Sequence, residues 1–334
     1  MARSYHVVGM GAALVDTEIE VSDQDLAALG VEKGLMTLVD EARQSALVQH
    51  LEHHLTASRR ASGGSAANTI IAVSALGGDA FFCGRVADDD NGRFYLDDLA
   101  AAGVSYQNPE QLPAGTTGKC LVLITPDAER SMNTYLGISE SLSQEDLSLD
   151  AIASAEYLYI EGYLATSDTG RDAAVAARQH ASEHGTRIAV SLSDPGIVAH
   201  FRSQLKEIIG SKVDLLFCNR EEALEWTQMD DLRDASEELA NWAEQYVITL
   251  GKDGALVFDG SEMHKIAARS ITAVDSNGAG DMFAGAFLYG ITHGMDHSTA
   301  GLLACTAAAA VVGQYGPRLP LQQYSGILAA FADK

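Results

Sequence analysis

The residues best equipped to do chemistry in this chain stand at Asp275-Ser276-Asn277-Gly278-Ala279-Gly280-Asp281. An apolar run, Ile271 to Val274, precedes them and a helix-like stretch, Met282 to Thr292, follows, so the pattern predicts strand, tight turn and helix. Gly278, Ala279 and Gly280 let the backbone turn sharply and bring its N–H groups close to a ligand. The helix N-terminus behind them adds unpaired N–H groups and a partial positive charge, which suits an anion. Asp281 places a carboxylate at the mouth of that anion hole. A phosphate needs no carboxylate beside it, but a hydroxyl that must lose its proton does. An anion hole with a base predicts phosphoryl transfer to an alcohol.

A second glycine-rich element, Gly63-Gly64-Ser65-Ala66-Ala67-Asn68, opens an alanine-rich helical stretch from Ala66 to Leu76. Its glycines permit close backbone approach, and Ser65 and Asn68 put polar groups on the first helical turn, where they can bond sugar hydroxyls. Further on, Asn219 and Glu222 stand three apart at a strand-to-helix junction and so share one helix face. An amide and a carboxylate there suit Mg2+, which keeps several waters and needs few protein ligands. The same spacing is that of a helix cap, and the two roles are compatible. Thr249-Leu250-Gly251-Lys252-Asp253-Gly254 makes another strand-to-turn junction in which Gly251 and Gly254 supply the turn.

Taken together, the two glycine motifs resemble those of the ribokinase-like (PfkB) carbohydrate kinase family. The Gly63-Gly64…Asn68 element matches that family's first motif and Asp275 to Asp281 its second, with Ser276 where threonine is usual. The hydroxyl is kept. The resemblance implies a sugar or nucleoside as acceptor, ATP as donor and Mg2+ as cofactor. It implies acceptor binding by Asp16, Gly63, Gly64 and Asn68, with catalysis by Asp281 and the Gly278, Ala279 and Gly280 N–H groups. Asn219, Thr249, Gly251 and Gly254 would serve ATP, and Asn219 and Glu222 the metal waters. Carbonyls near Gly313-Gln314-Tyr315-Gly316 would join Asp275 around a monovalent cation, K+ being the expected ion. The long Asp23 to Arg60 segment and the run Glu129-Arg130-Ser131-Met132-Asn133-Thr134 look like the adenosine kinase branch. Adenosine, phosphorylated at its 5′-hydroxyl, is therefore the favoured acceptor, with ribose, fructose or 2-keto-3-deoxygluconate types as the alternative. An idle sensor on the same fold is a third reading, against which the retained base and metal pair argue.

Elements must hold these residues in place. Strand-like blocks at Tyr5–Gly11, Tyr157–Ile160, Arg187–Ser191, Leu215–Cys218, Tyr246–Thr249 and Ala255–Phe258 alternate with helix-like blocks at Gly170–Glu183, Ile197–Ile209, Arg220–Thr227 and Ser236–Glu244. That alternation predicts an α/β fold, a mostly parallel sheet covered by helices on both faces, with ligands at the carboxyl ends of its strands. Both glycine motifs are expected at such ends. One ribokinase-like domain spans 1–334, and the resemblance adds a small β-sheet lid from about 14–40 and 113–137. Pro126-Asp127 between strand-like runs at Gly118–Thr125 and Ser131–Leu136 supports a hairpin there. Arg130 is expected at its turn, either reaching substrate or γ-phosphate or simply solvated.

The remaining features mainly exclude. A formal charge of −24, from 46 acidic and 22 basic residues, disfavours nucleic acid as a partner. Gly9-x-Gly11-x-x-Leu14 lacks the third glycine of a dinucleotide fingerprint. Four scattered cysteines without a Cys-x-x-Cys pair indicate neither zinc nor a disulfide framework. No apolar stretch is long enough to span a membrane, and a reduced, cytoplasmic protein is expected, as monomer or homodimer. His50, His53 and His54 have helical metal-site spacing but no carboxylate or thiol partner, and read as a solvated face.

Overall fold

The computed structural model describes residues 3–51, 59–107, 109, 111–127 and 129–332. Its strands are Tyr5–Met10 (β1), Leu14–Glu20 (β2), Met36–Leu38 (β3), Arg59–Gly63 (β4), Ala80–Cys83 (β5), Ser105–Tyr106 (β6), Gly118–Ile124 (β7) and Arg130–Tyr135 (β8). Ala155–Glu161 (β9), Arg187–Ser191 (β10), Val213–Asn219 (β11), Ala243–Thr249 (β12), Ala255–Phe258 (β13) and Met263–Ile266 (β14) complete the set. Nine of them form one sheet in the order β14-β13-β12-β11-β10-β9-β1-β5-β6. From β12 through to β6 all pairings are parallel; β13 and β14 close one edge antiparallel.

The central strands are apolar on both faces because both faces are covered. Along β9, Tyr157 and Tyr159 enter one core, with Ile70, Phe287 and Leu303 from the helices Ser65–Ala75, Ala279–Thr292 and His297–Val312. Leu158 and Ile160 enter the other, with Ala177, Leu205 and Trp226 from the helices Asp168–Glu183, Arg202–Ile209 and Arg220–Thr227. Successive strand residues point to opposite faces, so one strand feeds two cores.

The other five strands form a second sheet, β3-β8-β7-β2-β4. It shows the same two-sided logic. Leu121 and Leu123 of β7 pack beneath Leu26 and Leu47 of the helices Asp23–Leu29 and Glu41–His50. Their neighbours Cys120 and Val122 face the other way, with Leu14 and Met132.

Four sequence expectations are corrected. Ile271–Val274 is not a strand: with the sheet edge already closed by β14, Ile271 lies exposed and Val274 donates its N–H to Val312 at the end of a helix. The glycine motifs therefore do not follow strands of the parallel sheet; Gly63 ends β4 of the small sheet, and Gly278 follows a loop. Ile197–Ile209 is split at Phe201, whose φ of −121° and ψ of 26° are not helical, into Pro195–His200 and Arg202–Ile209. The helix expected at Ser236–Glu244 starts earlier, at Leu232 behind its Asp231 cap, and ends at Leu239. The elements Ala80–Cys83 and Asp90–Ala101 were not foreseen.

Candidate active site

A cleft of about 420 Å³ opens between the carboxyl ends of the parallel strands and the inner face of the small sheet. Asp281 lies on the first turn of the Ala279–Thr292 helix. Gly278, its N-cap, has φ of 71°, and a Cβ there would lie 2.1 Å from the Pro317 carbonyl oxygen, so only glycine makes this turn. The Asp281 carboxylate accepts a hydrogen bond from the Ser65 hydroxyl at 2.6 Å and from the Asn68 amide at 3.2 Å. Those two side chains come from the start of the Ser65–Ala75 helix. The reach is short because the helices nearly touch: a Cβ on Gly285 would stand 2.5 Å from the Thr69 carbonyl oxygen. Burial pushes the Asp281 carboxyl up to about 6, against the pull of the Ser65 and Asn68 bonds. It sits poised to exchange a proton near neutrality.

Asp16 enters from β2, buried, with its carboxylate against Gly63 on neighbouring β4, where any Cβ would strike it at 2.2 Å. Burial raises Asp16 to about 7; Arg318 and Arg130 oppose the rise, and Glu18 and Asp281 add to it. Asn68 keeps its carbonyl oxygen buried and without a hydrogen-bond partner. A buried free acceptor is costly unless a ligand supplies the donor. Sequence reasoning missed Glu161. This carboxylate, at the end of β9 and 1% exposed, accepts the N–H of Ala12 and the N–H of Ala66, each at 2.7 Å. It thereby ties the turn after β1 to the Ser65–Ala75 helix. Its only sequence signal is an acid closing an apolar strand. Ser193 was missed as well. It lines the cleft with φ of 71°, a conformation rare for a side-chain-bearing residue.

On the other side of the cleft, Asn219 and Glu222 form a full capping box for the Arg220–Thr227 helix. The Glu222 N–H donates to the Asn219 carbonyl oxygen at 2.8 Å, and the Asn219 N–H and amide donate back at 2.9 and 2.7 Å. Both residues also line the cleft. Burial pushes Glu222 up to about 8, helped by Asp194 and Glu221. Those neighbouring charges are negative, so a divalent cation is what would favour its ionised form. The pair fits Mg2+ held through water. Thr249 lines the cleft too, whereas Gly251 and Gly254 stand beyond its lining. A Cβ on Gly254 would meet the Ile266 carbonyl oxygen at 1.9 Å, so that glycine lets the turn between β12 and β13 lie against the end of β14.

Arg130 is not at an exposed turn. It begins β8, is 6% exposed, and sets its guanidinium on both oxygens of the fully buried Asp275. His50 is exposed; His53 and His54 lie outside the described residues. All four cysteines are buried and unpaired. Among the described residues, no helix is long and apolar enough to cross a membrane.

Comparison with known proteins gives consistent matches. A model of the pfkB family of carbohydrate kinases matches residues 37–323. Adenosine kinase of Saccharomyces cerevisiae is 28% identical, covering 96% of this chain and 98% of its own length. The crystal structure of adenosine kinase from Sinorhizobium meliloti superposes with a TM-score of 0.91 at 36% identity, over 98% of this chain and 99% of that one. A probable sugar kinase from Rhizobium etli is equally similar in fold, with a TM-score of 0.91 at 36% identity over 99% of this chain and all of its own.

Proposed function

This chain belongs to the pfkB family of carbohydrate kinases and is a phosphotransferase acting on a sugar or nucleoside, and we propose that its acceptor is adenosine, phosphorylated at the 5′-hydroxyl. The observation that carries the choice is the small sheet's wall of the cleft. Leu14, Met36, Leu38, Met132 and Leu136 line it. A free sugar offers hydroxyls on every side and gains little from such a surface; a purine offers a flat apolar face. Likeness to the yeast and Sinorhizobium adenosine kinases supports the same reading.

In this account the ribose hydroxyls bond Asp16, the Gly63-Gly64 turn and the free carbonyl oxygen of Asn68, while the base rests on the small sheet. The 5′-hydroxyl is presented to Asp281, which accepts its proton as the oxygen attacks the γ-phosphorus and the bond from that phosphorus to the β–γ bridging oxygen breaks, releasing ADP. Ser65 and Asn68 aim the carboxylate. The N–H groups of Gly278, Ala279 and Gly280 take the charge that builds on the transferring group. Asn219, Thr249, Gly251 and Gly254 serve ATP. Asn219 and Glu222 hold Mg2+, which when bound neutralises phosphate charge. The small sheet, built mainly from segments of about 14–40 and 113–137, acts as a lid that excludes water from the transfer. Its outer face is covered by two helices of the same chain, which supports a monomer in a single kinase domain. ADP release from Mg-ATP across adenosine, inosine, guanosine, ribose, fructose and 2-keto-3-deoxygluconate tests the acceptor. Adenosine should give the highest kcat/KM; turnover confined to free sugars would overturn the choice.

A further inference from the structure

Asp275 opens the anion-hole loop, and the resemblance placed a monovalent cation on it. The surroundings of its carboxylate do not suit one. Every partner described is a donor: the Arg130 guanidinium spans both oxygens, the Asn277 N–H lies at 2.8 Å and the Gly316 N–H at 2.7 Å. A metal cation needs oxygen lone pairs turned toward it, and N–H groups present the opposite charge. Arg130 is held from behind by Glu18, 3.4 Å from its remaining nitrogen, and all three side chains are buried. Glu18 and Arg130 belong to the small sheet, while Asp275 leads into Gly278 and Asp281.

We propose that Arg130 supplies from within the chain the positive charge on which the anion-hole loop rests, so that phosphoryl transfer requires no monovalent metal cation. Arg130 is a positioning residue acting through Asp275. Arginine fits this place because its charge persists when buried and its planar fork matches a carboxylate. The pair also links the small sheet to the loop carrying the base, so the cleft's two walls share a fixed point. The inference rests on the phosphoryl-transfer reading of the loop, not on the choice of acceptor.

The test compares turnover and melting temperature in KCl, NaCl and choline chloride at equal ionic strength. Wild-type kcat should agree within about twofold across the three salts, with unchanged melting temperature. Activation by K+ of about tenfold or more, or a melting temperature raised by K+ over choline, would overturn the proposal. Arg130→Ala should lose about 100-fold or more in kcat, with a smaller change in acceptor KM, and should recover part of it in millimolar guanidinium chloride. A variant that keeps wild-type kcat, or that is folded and unmoved by guanidinium, would also overturn it. Should Arg130→Ala fail to fold, Arg130→Lys decides: a fall in kcat at near-constant KM supports the role, and a wild-type kcat opposes it. Silence with every acceptor in every salt would count against the acceptor reading alone, because the melting comparison needs no acceptor.

Discussion

The two sides of the cleft are built on different principles. On the proposed donor side, the Asn219–Glu222 pair is fixed by its own neighbourhood: the two residues cap the helix they begin, three residues apart. On the acceptor side, nearly every functional contact joins distant parts of the chain. Ser65 reaches Asp281 across 216 residues, Ala66 reaches Glu161 across 95, and Arg130 reaches Asp275 across 145. Local construction tolerates many acceptable sequences. Long-range construction requires several elements to pack before the base is aimed at all, so damage there should cost more activity.

The sharpest way to break this contrast is at its centre. Asp281→Asn removes the base while leaving partners for Ser65 and Asn68, and should lower kcat by about 10²–10⁴-fold with adenosine binding nearly intact. Calorimetric titration beside steady-state kinetics checks both halves of that statement. Next in size is Glu161→Gln. It weakens one of two buried acceptor bonds, and losses of about 1–3 kcal/mol for such bonds translate to roughly 5–150-fold in acceptor kcat/KM. The KM for ATP should stay constant; an equal rise in both would erase the distinction between the two sides.

A smaller effect appears in stability. Glu222 titrates near 8 in the fold, and Asp16 and Glu161 near 7, well above an ordinary carboxyl. Raised values mean the folded state binds these protons more tightly, so the stability they lend is complete below the ordinary carboxyl range and is lost as pH climbs through 7 and 8. The melting temperature of the ligand-free protein should therefore fall between pH 5 and pH 8. Glu222→Gln should flatten that fall, and Mg2+ should blunt it only in the wild type. Smallest of all is Gly251→Ala on the donor side. With φ of 56° and open space for a Cβ, it should cost only about 1–2 kcal/mol of stability by denaturant titration, with a modest rise in the KM for ATP and an unchanged acceptor KM.

What the sequence disclosed follows the same division. The Asn219–Glu222 pair, the glycine motifs and most strands of the parallel sheet were legible, since each depends on spacing within a few residues. Glu161, the close approach at Gly285 and the burial of Arg130 were not, because each depends on what packs against it from another element. Arg130 shows this most clearly: beside Pro126 and Asp127 it reads as a turn residue that either reaches a ligand or is solvated, and only the arrival of Asp275 and Glu18 explains a buried charge. Ile271–Val274 failed in the opposite sense. It has the composition of a strand but no open sheet edge to join.

Everything proposed for the acceptor side converges on one primary hydroxyl presented to Asp281. Phosphorus NMR of the product formed from Mg-ATP and adenosine tests it most directly. The product should be a single 5′-phosphate ester, formed about 10²–10⁴-fold more slowly with Asp281→Asn. A 2′- or 3′-ester, or inorganic phosphate in its place, would contradict it.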